Sequence, residues 1–209
     1  TAGHVRVKVT GKSGSRIKLD YSERLMPDGR HVYMAAYLKE TKPNPDMYNS
    51  AEYILDGTKD KVLEEIFSIH GFQYVEVTGD YDDISLTAVT SHTDMKLASS
   101  FECDNDIING IHTACVNSML TCCQDFFVDT PKRDAPWTGD LMLSAESIAA
   151  DFDSYGVLYE NMMMCKDAQN EKGGLPACVP AFNGNWAYTK HIGPDWTDGV
   201  LFHVTFFAY

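Results

Sequence analysis

Two periodicities divide the chain. From residue 1 to about residue 92 apolar and polar residues alternate with period two, and beyond that point they repeat with helical spacing. His4-Val5-Arg6-Val7-Lys8-Val9 puts three valines on one face and charge on the other. Gly11-Lys12-Ser13-Gly14 has the composition of a turn, and Arg16-Ile17-Lys18-Leu19-Asp20-Tyr21 alternates again, so the two runs predict a hairpin. Met26-Pro27-Asp28-Gly29 is a further turn. Short strands are predicted over 31–38, 52–55, 65–69, 72–77 and 84–89. Many short strands parted by turns at regular intervals predict a β-sandwich.

Around 93–101 the period changes. Ile107, Ile108, Ile111, Cys115, Met119 and Cys122 fall on one helical stripe, with Asp104 or Asn105 before it as N-cap. After a polar loop, Leu141, Ala145, Ile148, Ala149 and Phe152 form a second stripe with Thr138 as its N-cap. Leu158, Met162, Cys165 and Gln169 mark a third helix, with Gly156 near the break before it and Gly173-Gly174-Leu175-Pro176 ending it. A long loop runs to Trp196, and 200–207 begins a fourth helix. Strands first and helices afterwards predict two domains rather than alternating βαβ units. We therefore expect the C-terminal part of a β-sandwich over 1–92 and the opening of a helical domain over 93–209. Neither half reads as finished, because nothing precedes the first strand and the last helical pattern breaks off at Tyr209.

Composition narrows the partners. The 209 residues carry a formal net charge of −13, a surface that phosphate backbones and anionic membranes repel. A neutral substrate is electrostatically easier. Hydrophobic residues at 44% and charged residues at 22% fit an ordinary globular chain. No apolar run approaches the roughly 20 residues of a membrane-spanning helix. Cys103, Cys115, Cys122, Cys123, Cys165 and Cys178 include no Cys-x-x-Cys pair and no zinc-finger spacing with His. Four of the six fall in segments that read as helices, where free Cys behaves as a small buried hydrophobe, and neither a metal nor another cofactor is expected.

The segment from Asp129 to Asp140 holds the candidate chemistry. Asp129, Asp134 and Asp140 are spaced along it, with Arg133 and Trp137 between them and Pro131 and Pro136 stiffening the backbone. Crowded carboxylates beside an aromatic face suit sugar chemistry: an acid protonates the leaving oxygen, other carboxylates hold hydroxyls, and the ring packs on the sugar's apolar face. Crowding also raises the pKa of at least one acid, as a general acid requires. The same residues are equally readable as helix caps and ion pairs with Lys132 and Arg133, and residue chemistry alone slightly favours that bland reading.

The wider pattern resembles glycoside hydrolase family 78, the α-L-rhamnosidases. The family motif Asp-Cys-Pro-x-Arg-(Asp/Glu), a spacer and Trp-x-Gly-Asp is matched by Asp129-Thr130-Pro131-Lys132-Arg133-Asp134 and Trp137-Thr138-Gly139-Asp140. Ile69-His70-Gly71-Phe72-Gln73-Tyr74-Val75 is similar to the strand that closes the family's sandwich, and Phe101-Glu102-Cys103-Asp104-Asn105 to the entry of its first barrel helix. The resemblance implies a bacterial glycosidase with a β-sandwich followed by an (α/α)₆ barrel, inverting the anomeric centre as it removes terminal α-L-rhamnose. It implies Asp134 as general acid, Asp129, Arg133 and Asp140 as sugar-binding groups, and Trp137 packed on the sugar. Trp196, in Asp195-Trp196-Thr197-Asp198, falls where the family has a second substrate-facing tryptophan, or else it packs at a helix start.

Two departures stand out. The acid is typically Glu, and here Asp134 lies nearer the tryptophan, with Ala135 at one position where Glu would align. The family's general base comes from a much later helix. Twelve helices of about 11 residues with loops of about 5 need roughly 190 residues, more than follow residue 92. The chain is therefore expected to lack the base and to be inactive alone. Two rivals follow: a relative that binds sugar without cleaving it, and an (α/α)₆ glycosidase for another deoxy sugar or a uronic acid. His70 is read as a packing or hydrogen-bonding residue, His191 as a minor pocket candidate, and 162–164 as helix core. Phe182, Trp186 and Tyr188 extend a sugar surface or cover a barrel edge.

Overall fold

The first two strands bury alternate residues as their pattern demands, yet they lie in different sheets. In the computed structural model, which describes residues 1–34, 49–128 and 136–180, the chain forms two compact units, Thr1–Ser91 and His92–Tyr209. The first unit contains β1 (Ala2–Thr10), β2 (Arg16–Ser22), β3 (Ser50–Ile54), β4 (Lys61–Leu63), β5 (His70–Gly71), β6 (Tyr74–Gly79) and β7 (Asp83–Thr90). β1 is the centre of one sheet: β7 runs along one edge from Gly3↔Thr90 to Thr10↔Asp83, while β4 and β5 share the other. The second sheet has the order β3-β2-β6, and all these pairings are antiparallel.

The predicted hairpin of β1 and β2 is therefore corrected. Period-two alternation decides which face is buried, but not which strand lies alongside. Here the turn at 11–14 carries the chain from one sheet to the other, pinned by Gly14 N–H on the Leu55 carbonyl at 2.8 Å and Leu55 N–H on Ser15 at 2.8 Å. Val5, Val7 and Val9 consequently meet Ile17, Leu19 and Tyr21 across the interior, together with Ala51, Leu55 and Phe72. Each such side chain, taken wholly out of water, contributes roughly 1.5–3 kcal/mol.

Two further strand assignments change. Residues 65–69 form no strand: Glu65 turns inward, leaving Ile66 and Phe67 exposed at 81% and 98%. The strand of this region lies earlier, as β4. The strand predicted over 72–77 is β6 from Tyr74 onward, while Phe72 and Gln73 form a crossing from β5 in the first sheet to β6 in the second. Phe72 N–H bonds Thr1 and Gln73 N–H bonds Ser22, each at 2.9 Å, so consecutive amides serve opposite sheets. At the end of β6, Gly79 has φ 125°, and a Cβ there would stand 2.1 Å from the Arg16 carbonyl oxygen. Of the strand expected over 31–38, Val32 makes one bridge to Leu25, and 35–38 lie outside the described residues. The strands expected over 52–55 and 84–89 are β3 and β7.

A polar cluster is built into this sandwich. The buried His70 ring stacks on Tyr21 with centroids 4.0 Å apart. Its Nδ1 is 2.9 Å from Asn49 Oδ1 and its Nε2 is 3.0 Å from Glu65 Oε2. Asn49 Nδ2 donates to the Tyr21 carbonyl at 2.6 Å, and Tyr21 Oη donates to Glu65 at 3.1 Å while accepting from Val5 N–H. Burial pushes the Glu65 carboxyl up, but the bonds and charge from His70 and the Tyr21 hydroxyl outweigh it, so Glu65 ionises below the ordinary glutamate range. Burial and the Glu65 charge push the Tyr21 phenol well above its usual value. His70 thus has the hydrogen-bonding role its sequence position suggested.

The second unit begins with Thr93 tied to Cys123 and contains α1 (Asp106–Cys122), α2 (Thr138–Asp151) and α3 (Tyr155–Asp167). Asn105 caps α1, its Oδ1 accepting from Ile107 N–H at 3.0 Å and Ile108 N–H at 3.3 Å. The stripe on α1 is only partly used: Ile107, Ile108 and Ile111 remain 74%, 46% and 58% exposed. Met119, Val116 and Leu120 pack on the core of Met95, Cys123, Phe127, Leu141, Ala145, Ile148, Phe152 and Leu158. The N-cap of α2 is Trp137, not Thr138, because the Thr138 hydroxyl bonds Ala177 instead. Helix α3 ends at Asp167, short of Gln169. The expected fourth helix over 200–207 lies outside the described residues.

The folded carboxyl of Glu65 is depressed, so its stabilising contribution is present above the ordinary glutamate pKa and is lost as pH falls through the lower folded value. Glu65→Gln should remove part of the stability loss on acidification below about pH 4.5 and destabilise the protein near neutrality by about 1–3 kcal/mol. Urea unfolding of both proteins across pH 3 to 7 measures this, and parallel pH profiles would contradict it.

Candidate functional site

Asp140 and Trp137 are the two site residues within the described structure. Asp129, Arg133, Asp134 and Trp196 lie outside it, as do Lys132, Ala135, Phe182, Trp186, Tyr188 and His191. Trp137 immediately precedes α2 and Asp140 lies in its first turn. That position is favourable for an anion, since the first-turn amides carry partial positive charge. Both residues are half-buried.

Their backbone is held by the segment after α3. Trp137 pairs with Cys178 in an antiparallel bridge. On either side, Val179 N–H donates to the Pro136 carbonyl at 3.0 Å and Thr138 N–H to the Ala177 carbonyl at 2.9 Å. The Thr138 hydroxyl donates to the same Ala177 oxygen at 3.0 Å. Pro136, Thr138, Ala177, Cys178 and Val179 are all buried. The helix then continues with Leu141 N–H on the Trp137 carbonyl and Ser144 Oγ on the Asp140 carbonyl, at 3.2 and 3.0 Å.

Asp140 and Trp137 line a single cleft of about 290 Å³. The end of α1 contributes Ser118, Met119 and Cys122, and the following stretch adds Phe127 and Val128. Leu141, Leu143, Ser144 and Ile148 complete it from α2. One carboxylate, one indole and a largely apolar wall suit a small neutral ring that has both hydroxyls and an apolar patch. The volume is near the lower end of the roughly 300–1,000 Å³ of small-molecule sites. Met119 and Cys122 belonged to the helical stripe in the sequence. Spacing gave no sign that the end of that stripe borders a cleft.

Burial raises the Cys123 and Cys165 thiols to about 11, so both are protonated near neutrality. Among the described residues no group of three or more His, Cys, Asp or Glu side chains is placed to hold a metal ion. No helix among them is long and apolar enough to cross a membrane.

Residues 96–207 match the bacterial alpha-L-rhamnosidase 6 hairpin glycosidase domain, and residues 1–94 match the bacterial alpha-L-rhamnosidase concanavalin-like domain. The chain belongs to the bacterial α-L-rhamnosidase family. Its fold class follows, a β-sandwich segment succeeded by helices of an (α/α)₆ domain. An α-L-rhamnosidase of Streptomyces avermitilis is 31% identical over 184 residues, which is 86% of this chain and 17% of the relative. One from Formosa agariphila is 28% identical over 158 residues, 74% of this chain and 16% of the relative. The chain thus spans about a sixth of the length of these curated relatives. Among solved structures, the α-L-rhamnosidase from Dictyoglumus thermophilum superposes with a TM-score of 0.82 at 25% identity, covering 98% of this chain and 22% of that one. The S. avermitilis enzyme complexed with L-rhamnose gives 0.78 at 29% identity, covering 88% and 18%.

Leu141 is 4% exposed and packs in the helical core, whereas Leu143 is 79% exposed at the same cleft. Leu141→Ala should destabilise the protein by about 2–5 kcal/mol, and Leu143→Ala by less than about 0.5 kcal/mol. Denaturant unfolding compares them, and similar losses would contradict the core assignment.

Proposed function

We propose that the protein containing this chain is a glycoside hydrolase that releases terminal α-L-rhamnose with inversion. The observation that carries the reading is the placement of Asp140 and Trp137 on one largely apolar cleft. A carboxylate holds sugar hydroxyls and an indole covers the ring, while the apolar wall suits a deoxy sugar better than a charged one. Family membership and relatives named as α-L-rhamnosidases support the same chemistry.

In this reading Asp134 protonates the glycosidic oxygen as the leaving group departs. A base activates water on the opposite face of the ring, the two carboxyl groups standing roughly 6.5–9.5 Å apart. Asp129, Arg133 and Asp140 hold the sugar, Trp137 and Trp196 pack against it, and the base comes from sequence outside this chain. Domain limits of 1–92 for the sandwich and 93–209 for the catalytic part belong to the same proposal. The net charge of −13 further favours a neutral glycoside over nucleic acid or an anionic surface.

A binding-only reading is favoured by one feature, the short spacing that leaves Ala135 beside Asp134. Misplacing an acid by about 1 Å can lower the rate on the order of 100-fold. Release of p-nitrophenol from p-nitrophenyl α-L-rhamnoside by the full-length protein separates the two. Turnover supports hydrolysis, whereas L-rhamnose binding without turnover supports the binding-only reading.

Two variants assign the roles. Asp134→Asn should lower kcat by about 10²–10⁴-fold if it is the acid, and a near-normal rate would move that role elsewhere. Asp140→Asn should weaken L-rhamnose binding by about ten- to a hundredfold, as loss of a charged hydrogen bond predicts. Unchanged binding would leave Asp140 as a helix-start residue. The 209-residue chain alone should show no turnover, and robust hydrolysis by it would overturn the assignment of an outside base.

A further inference from the structure

We infer that residues 175–179 form a strap that sets the position of Trp137 and Asp140, with Thr138 as its positioning residue; the inference rests on the function proposed above. Three observations meet here. First, α2 starts on Trp137 with no side-chain cap, so its first amides depend on other partners. Second, bonds on both sides of Trp137 join it to the strap, from Val179 N–H to Pro136 and from Thr138 N–H and Oγ1 to Ala177. Third, the strap is itself anchored, since Leu175 and Val179 pack with Cys165 of α3 and are 3% and 1% exposed.

A buried path therefore runs from α3 through the strap to the first turn of α2. Bonds flanking a directly opposed pair fix it as the close kind, in which the two Cα atoms approach to about 4.5 Å and the side chains leave on the same face. Cys178 accordingly sets the backbone position from which the indole departs. Asp140 follows three residues later on a rigid helical turn, so a rotation of the Thr138 peptide moves both cleft groups together. The Thr138 hydroxyl adds a side-chain bond to this clamp from the α2 side, and it shares its acceptor with the Thr138 amide. Losing the hydroxyl leaves the carbonyl bonded to the amide, so the clamp loosens while the fold persists.

The test uses Thr138→Val, which keeps the branched shape and loses the hydroxyl, and Thr138→Ser, which keeps the hydroxyl. In the full-length protein, kcat and KM on p-nitrophenyl α-L-rhamnoside are measured alongside amide hydrogen exchange over 136–141. Thr138→Val should lower kcat/KM by about tenfold or more and speed exchange locally, and Thr138→Ser should return both to within about twofold. Faster exchange with unchanged kinetics would make Thr138 a purely structural residue and overturn the positioning role, as would loss of activity in both variants. Should Thr138→Val fail to fold, rescue by Thr138→Ser of fold but not of kcat/KM equally overturns it. An unsubstituted protein that neither hydrolyses the rhamnoside nor binds L-rhamnose would overturn the functional reading itself, and the positioning role with it.

Discussion

The second unit is organised around a helix that starts without a cap of its own. Trp137 occupies the cap position of α2 and its ring offers no oxygen to the first amides. The segment after α3 answers this need: the Ala177 carbonyl takes the Thr138 amide and hydroxyl, and the Val179 amide closes on Pro136. Because these groups are buried, the bonds have no water to compete with and leaving them unmade would cost about 1–3 kcal/mol each. The start of α2 is thereby fixed by a segment some forty residues away in sequence. The orientation of Trp137, Asp140 and the cleft they line depends on that arrangement.

The sandwich unit shows the same reliance on a few buried polar groups. Its interior is aliphatic except at one end, where Tyr21, Asn49, Glu65 and His70 satisfy one another. A hydrogen-bonded cluster in such a setting restricts how the surrounding strands pack, since each member loses its partners if the register shifts. It lies where the chain crosses from β5 to β6, and the inward turn of Glu65 is what leaves Ile66 and Phe67 exposed. The His-Gly-Phe-Gln segment therefore reads as a joint between sheets.

Much of this was visible in the residues, and the failures have physical causes. Alternation at 4–9 and 16–21 identified the buried faces correctly, because burial on one side of a pleated strand depends on local pattern alone. It placed the two strands in one hairpin because adjacency is a tertiary property that a period of two does not encode. Asn105 was legible as a cap, since a short acceptor before an apolar stripe has few other uses. Thr138 had the same chemistry but a competing partner, Ala177, too far along the chain for local reasoning to reach. Trp137 and Asp140 were legible as cleft residues through motif resemblance. Met119, Cys122 and Phe127 were not, because a cleft wall and a helical core share one composition.

A crystal structure of the full-length protein soaked with L-rhamnose tests most directly whether Asp140 and Trp137 act together on a sugar. The sugar should lie in the cleft of α1 and α2, with a hydroxyl within about 3.2 Å of an Asp140 oxygen and its ring face against the Trp137 indole. Rhamnose bound elsewhere while this cleft holds only solvent would contradict it.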